Sequence, residues 1–153
     1  MARQLRIQIP GAYYHVFARG DHKKRIFFDN IDYYTFIEKL QGVLQKYNVK
    51  CMAFALMPNH YHLYLKTEEA NISKVMHSLN TSYSNWCRAK NQIIGHIFQG
   101  VTNLFLLIKM LIHRCLLIIF ILIRLSPVLK LNLGIINGAV VPFTAEIQID
   151  FRL

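Results

Sequence analysis

Two apolar-rich runs with strand-like composition, residues 51–57 (CMAFALM) and 60–66 (HYHLYLK), are separated only by Pro58-Asn59. Proline pre-sets a turn dihedral and asparagine tolerates turn conformations, while two residues are far too few for a crossover. The runs can therefore only fold back on each other as an antiparallel hairpin. A hairpin is not stable alone in water, so the rest of the chain must extend the sheet and cover at least one of its faces.

The flanking sequence supplies suitable pieces. Residues 14–19 form a short β-rich run after the Pro10-Gly11 turn. Apolar residues recurring at helical spacing, Phe36, Leu40, Val43, Leu44 and Tyr47, predict a helix over about 31–47, capped by Asp29 or Asn30. A second amphipathic helix is expected after Asn71, with Ile72, Val75, Met76, Leu79, Tyr83 and Trp86 on one face. The order is β-α-β-β-α. With one more strand or helix this is a ferredoxin-like α+β sandwich, an antiparallel sheet with helices on one face.

The chain of 153 residues suits one domain, and at 54% apolar and 17% charged it is neither a disordered polymer nor a collagen-like chain. A net charge of +10 makes an anionic partner the first expectation, with nucleic acid ahead of an acidic membrane surface. Cys51, Cys87 and Cys115 form no CxxC pair and no even set, which fits a reducing cytoplasm and gives them no assigned chemistry. No continuous apolar core precedes Pro10, so the N-terminus does not read as a secretory signal.

Composition breaks at Gly100. All eight Tyr, the single Trp and 13 of the 18 basic residues lie at or before it; the last 53 residues hold 22 Leu or Ile and two acids. Residues 1–100 are thus expected to be the functional core, and 101–153 an aberrant, apolar, partly helical tail.

Within the second run of the hairpin, His60, His62 and Tyr64 alternate with Tyr61, Leu63 and Leu65. Period-two geometry sends both imidazoles to one face, roughly 6–7 Å apart at Cα, close enough to converge on one divalent ion. For a bare His-x-His the commoner explanation is a pair of polar residues on a solvated face. Here the apolar alternates all lie on the opposite face, which favours a site. Arg3, Arg6, Arg19, Lys23, Lys24 and Arg25 surround the first strand, and Arg88 and Lys90 follow the second helix, with Tyr13, Tyr14 and Trp86 nearby. Such a mixture suits phosphate neutralisation and base stacking, although Tyr83 and Trp86 stand at core spacing and are expected to pack.

The string RQLRIQIPGAYYHVFARGDHKKRIF, followed by ALMPNHYHLYLKT, NISKVMHSLNTSYSNW and GHIFQG, closely resembles the REP-associated, insertion-sequence-200-like single-tyrosine HUH transposases. The HUH motif is His60-Tyr61-His62, and the resemblance runs almost continuously from Met1 to Gly100. It implies metal-assisted transesterification of single-stranded or hairpin DNA. His60, His62 and a third polar side chain would hold Mg²⁺ or Mn²⁺, and a tyrosine would attack to leave a 5′-phosphotyrosine. DNA is the implied partner, and a homodimer is compatible with the family.

The same resemblance exposes a gap. Family members carry the nucleophile after GHxFQG in a stretch reading roughly Tyr-Ile-His-Leu-Asn-Pro-Val, with the Asn as a third metal ligand. This chain has no tyrosine after Tyr83, and the corresponding residues are Ile119-Phe120-Ile121-Leu122-Ile123-Arg124-Leu125. Ile119 stands where the nucleophile belongs and Ile123 where the third ligand belongs. Reading TAT ATT CAT CTT AAT CCG GTT A one nucleotide late gives ATA TTC ATC TTA ATC CGG TTA, which encodes those seven residues. Asp-Tyr-Lys-Trp-Ser-Ser displaced the same way yields Ile135-Ile136-Asn137-Gly138-Ala139-Val140, and Arg-Tyr-Lys can yield Val101-Thr102-Asn103. A one-nucleotide frame shift near the Gly100 codon is the expected origin of the tail.

Two other readings compete. Residues 104–123 are largely apolar and near the length that spans a bilayer, so a membrane-anchored basic domain is the alternative from another class. Lys109, His113 and Arg114 interrupt that run, and each charge near a helix centre costs about 2.5–3.5 kcal/mol on insertion scales, which disfavours it. A DNA-binding remnant without chemistry is the third. Resequencing the locus tests the frame: the displaced register after Gly100 should encode a Tyr-Ile-x-Leu-Asn-Pro-like stretch, and its absence would remove the frame-shift explanation.

Overall fold

In the computed structural model, residues 8–100, 103–107 and 132–134 are described. The hairpin is present: β2 (Val49–Met57) and β3 (His60–Thr67) pair antiparallel with Met57 opposite His60, closed by Pro58 and Asn59. On the other side of β3 lies β1 (Tyr13–Arg19), also antiparallel, with Phe17 opposite His62 and Arg19 opposite His60.

One helix lies between β1 and β2, and a second follows β3. Helix α1 (Asn30–Lys46) starts at a reciprocal capping box, in which the Asp29 side chain accepts from the Asp32 amide and the Asp32 side chain accepts from the Asp29 amide. It buries Phe36, Leu40, Val43 and Leu44 and ends at Tyr47, after which Asn48 turns the chain at φ 51°. Helix α2 (Ile72–Asn91) buries Ile72, Val75, Met76, Leu79, Tyr83 and Cys87. Both helices pack on the sheet face that carries Tyr14, Val16, Phe54, Leu56, Tyr61, Leu63 and Leu65, all at most 5% exposed. Each such burial is worth about 1.5–3 kcal/mol, which ties the fold to this one face.

Two short strands from beyond Gly100 complete the sheet. Strand β4 (Asn103–Leu107) pairs with β1, and β5 (Asn132–Gly134) pairs with β2, giving the order β4-β1-β3-β2-β5. The first six elements are β-α-β-β-α-β with β3 beside β1, so the ferredoxin-like sandwich is found and β4 is its final strand. The break in composition at Gly100 therefore does not coincide with the edge of the sheet. The eight described residues of the 101–153 segment are extended, because the open edges of β1 and β2 offer unpaired backbone groups that any neighbouring segment can satisfy. The rest of that segment, with Ile119 and Ile123 and the stretch expected to be partly helical, lies outside the described residues. Among the described residues no helix is long and apolar enough to cross a membrane, and most of the 104–123 run lies beyond them.

One glycine fixes the junction next to the candidate site. A Cβ on Gly20 would stand 2.1 Å from the Lys24 carbonyl oxygen, so only glycine lets the chain fold back immediately after β1. The Gly20 amide donates to the Asn59 carbonyl at 2.8 Å, and the Ile26 amide donates to the Pro58 carbonyl. These bonds seat the 20–26 loop against the hairpin turn.

Candidate metal and nucleic-acid site

The alternation in β3 is realised in side-chain burial. Tyr61, Leu63 and Leu65 are fully buried beneath the helices, while His60 and His62 are half-buried on the other face. Their rings lie 5.2 Å apart between centroids, at 77°. Directly across from them on β1 are Arg19 and Phe17, and on β2 the small Ala55 lies opposite His62.

Each imidazole has one nitrogen engaged. His60 Nδ1 lies 2.6 Å from Asn59 Oδ1, while Asn59 Nδ2 donates to the Lys23 carbonyl at 3.4 Å. The second bond fixes which end of the amide faces the ring. An amide oxygen only accepts, so His60 Nδ1 is the donor, and the neutral ring then has a bare Nε2. His62 Nδ1 lies 2.9 Å from Nε2 of His15 on β1. Sequence reasoning missed His15, although the alternation of Tyr13, His15, Phe17 and Arg19 along β1 was a signal that it shares the histidine face.

Burial keeps these rings neutral. Desolvation lowers His62 to about 4, helped by its neighbours His15 and His60; His60 is lowered by desolvation and by the Arg19 charge; His15 is lowered by desolvation. Neutral imidazoles are the form that ligates metal.

The predicted basic residues separate into groups. Arg19 stands at the His60 end of β1, and Lys23, Lys24 and Arg25 are exposed on the loop that Gly20 and Asn59 hold at that same end. Arg88 lies on the helix side, beside a polar cavity of about 350 Å³ between α2 and residues 95–100, which His77, Ser84 and His96 also line. Lys90 is committed elsewhere: its ammonium bonds both Asp29 oxygens, at 2.8 and 2.6 Å, and Asp32 at 2.7 Å, tying the end of α2 to the start of α1. Arg3 and Arg6 lie outside the described residues. Of the aromatics, Tyr83 is fully buried and Trp86 packs against it at 5.8 Å, as their helical spacing suggested. Tyr14 is buried, whereas Tyr13 stacks on Tyr64 at 5.8 Å on the histidine face.

A model of the IS200-like transposase family matches residues 8–103. This chain belongs to that family. No curated protein matches it in sequence. In structure the transposase resembles a REP-associated tyrosine transposase bound to a REP hairpin, with a TM-score of 0.64 and 14% identity over 75% of this chain and 67% of that one. It also resembles a protein of Deinococcus radiodurans R1 described as a transposase, with a TM-score of 0.53 and 14% identity over 79% and 94% of the two chains. At such identity these likenesses show the shared fold.

The lowered imidazoles have a consequence for stability. The unfolded chain takes up a proton at His62 near the ordinary value of 6.5, whereas the folded chain resists until about 4. Between those limits the unfolded state binds more protons, so stability rises with pH there and is lost on acidification from about 6.5 towards 4. Urea midpoints should fall across that window, and His62→Gln should make the slope shallower. Identical slopes in the two proteins would contradict a buried, neutral His62.

Proposed function

We propose that this IS200-like transposase binds single-stranded or hairpin DNA across the histidine face of its sheet and retains the family's metal-holding imidazoles, but has lost the chemistry of strand cleavage. The observation that carries this reading is the placement of His60 and His62 on one half-buried face, with Arg19 and the 23–25 basic loop at the same end.

The donor set fits Mg²⁺ or Mn²⁺. Both rings are neutral and adjacent, and His60 has a bare Nε2. Two imidazoles favour Mn²⁺ over Mg²⁺ relative to an all-oxygen site. Among the described residues no three His, Cys, Asp or Glu are grouped to hold an ion unaided. The family's third ligand corresponds to Ile123, so weak binding is expected. When bound, the ion supplies Lewis-acid polarisation of a scissile phosphate. Arg19 and the loop residues Lys23, Lys24 and Arg25, all exposed, hold the DNA backbone by charge. Arg88, which lies on the opposite, helix side, and Lys90, already paired with two carboxylates, are omitted from this set.

The nucleophile has no replacement among the tyrosines of the described core that sequence reasoning considered. Tyr83 is fully buried, its hydroxyl donates to the Ile26 carbonyl at 2.6 Å, and burial pushes its phenol well up. Tyr61 is fully buried and donates to Asn80 Oδ1 at 2.5 Å. On the histidine face, Tyr64 is 5% exposed and burial raises it as well. The isoleucine at the nucleophile position, Ile119, has no oxygen with which to form a phosphotyrosine.

Incubation with hairpin DNA bearing single-stranded flanks and Mn²⁺, followed by mass spectrometry, tests both halves. Binding without a tyrosine-linked nucleotide is expected. Replacing Lys23, Lys24 and Arg25 together by Ala should weaken binding and reduce the salt slope by about 0.7–0.9 for each phosphate that is no longer neutralised. A covalent adduct would overturn the loss of catalysis, and unchanged affinity in the triple variant would remove the loop from the DNA surface.

A further inference from the structure

We propose that His15 is the positioning residue that sets the tautomer of His62, so that His62 presents its Nε2 lone pair to the metal. This rests on the reading of His60 and His62 as metal ligands and adds a residue to it.

The geometry is specific. His15 Nε2 and His62 Nδ1 are 2.9 Å apart, the ring planes differ by 12°, and the centroids are 5.1 Å apart. Those distances leave only one ring radius at each end, so the imidazoles meet edge to edge along the line joining their nitrogens. Two bare nitrogens at that distance would repel, and two N–H groups would collide. One proton therefore occupies the space between them.

Which ring owns the proton decides what His62 can do. If His15 donated, His62 would carry its own proton on Nε2 and could not ligate through it. If His62 Nδ1 donates to His15 Nε2, the lone pair of His62 is left on Nε2, matching the bare Nε2 that Asn59 enforces on His60. Only this second arrangement gives both members of the HUH pair the same free nitrogen. Metal-bound histidines generally donate their other N–H to a carboxylate, a backbone carbonyl or water, and removing that acceptor costs about 10- to 100-fold in affinity; His15 Nε2 takes the same accepting place here. The backbone enforces the pairing: β1 and β3 run with His15 opposite Tyr64 and Phe17 opposite His62, so the two imidazoles are diagonal neighbours on one face.

The test uses the full chain and variants that separate a positioning role from packing. His15→Phe keeps a flat ring without an acceptor, and His15→Gln restores an acceptor oxygen. Long-range ¹H–¹⁵N NMR on the metal-free protein should show His62 protonated on Nδ1 in the unchanged chain and in His15→Gln, and shifted to the Nε2–H form in His15→Phe. Mn²⁺ titration followed by EPR should show affinity falling about 10- to 100-fold in His15→Phe and recovering in His15→Gln. Pulsed EPR should count two ligating imidazoles. Three would make His15 a ligand, and a His62 protonated on Nε2 in the unchanged protein would overturn the proposal. Full Mn²⁺ affinity in His15→Phe would do the same. Failure of the unchanged chain to bind Mn²⁺, with Nδ1 still protonated, would instead sink the metal reading on which His15's role depends.

Discussion

Everything at the candidate site depends on the register of β3 between its two neighbours. Its side chains alternate with period two, so Tyr61, Leu63 and Leu65 enter the core and His60 and His62 leave it. A slip of one residue would bury two imidazoles and expose three large apolar groups. The register is held from both sides, by β2 through the two-residue turn at Pro58-Asn59 and by β1. The same hydrogen bonds that make the sheet thus aim the histidines, and the apolar cost of a slip makes the aim stable.

Asn59 joins three parts of the site. Its carbonyl accepts from the Gly20 amide, its side-chain nitrogen reaches the Lys23 carbonyl, and its side-chain oxygen orients His60. The basic loop and the metal-facing ring are consequently fixed by one residue at a turn, where small displacements would otherwise be easy. Gly20 serves the same junction from the other side, since any larger residue would meet the Lys24 carbonyl.

Most of the fold was legible in the sequence because its signals are local. The spacing of Phe36, Leu40, Val43 and Leu44 marks a helix, Asp29 marks its start, and the alternation around His62 marks a half-buried strand. The final strand was not legible, because β4 and β5 attach to sheet edges through backbone pairing, which leaves no side-chain period to read. At the site, His60 and His62 stand two residues apart and could be paired by eye. His15 lies 47 residues away from His62 and meets it only through strand pairing. Lys90 looked like Arg88 in sequence, yet its ammonium closes an ion pair between helices, a distinction set by where Asp29 and Asp32 fold.

The central claim is that His60 and His62 jointly hold one cation on the histidine face of the sheet. It is tested most directly by a crystal of the full chain soaked in Mn²⁺ and measured for anomalous scattering. The expected result is a single peak within about 2.1–2.3 Å of a nitrogen on each ring, near the distances usual for such ions. Rings turned apart, or a peak that touches neither histidine, would contradict it.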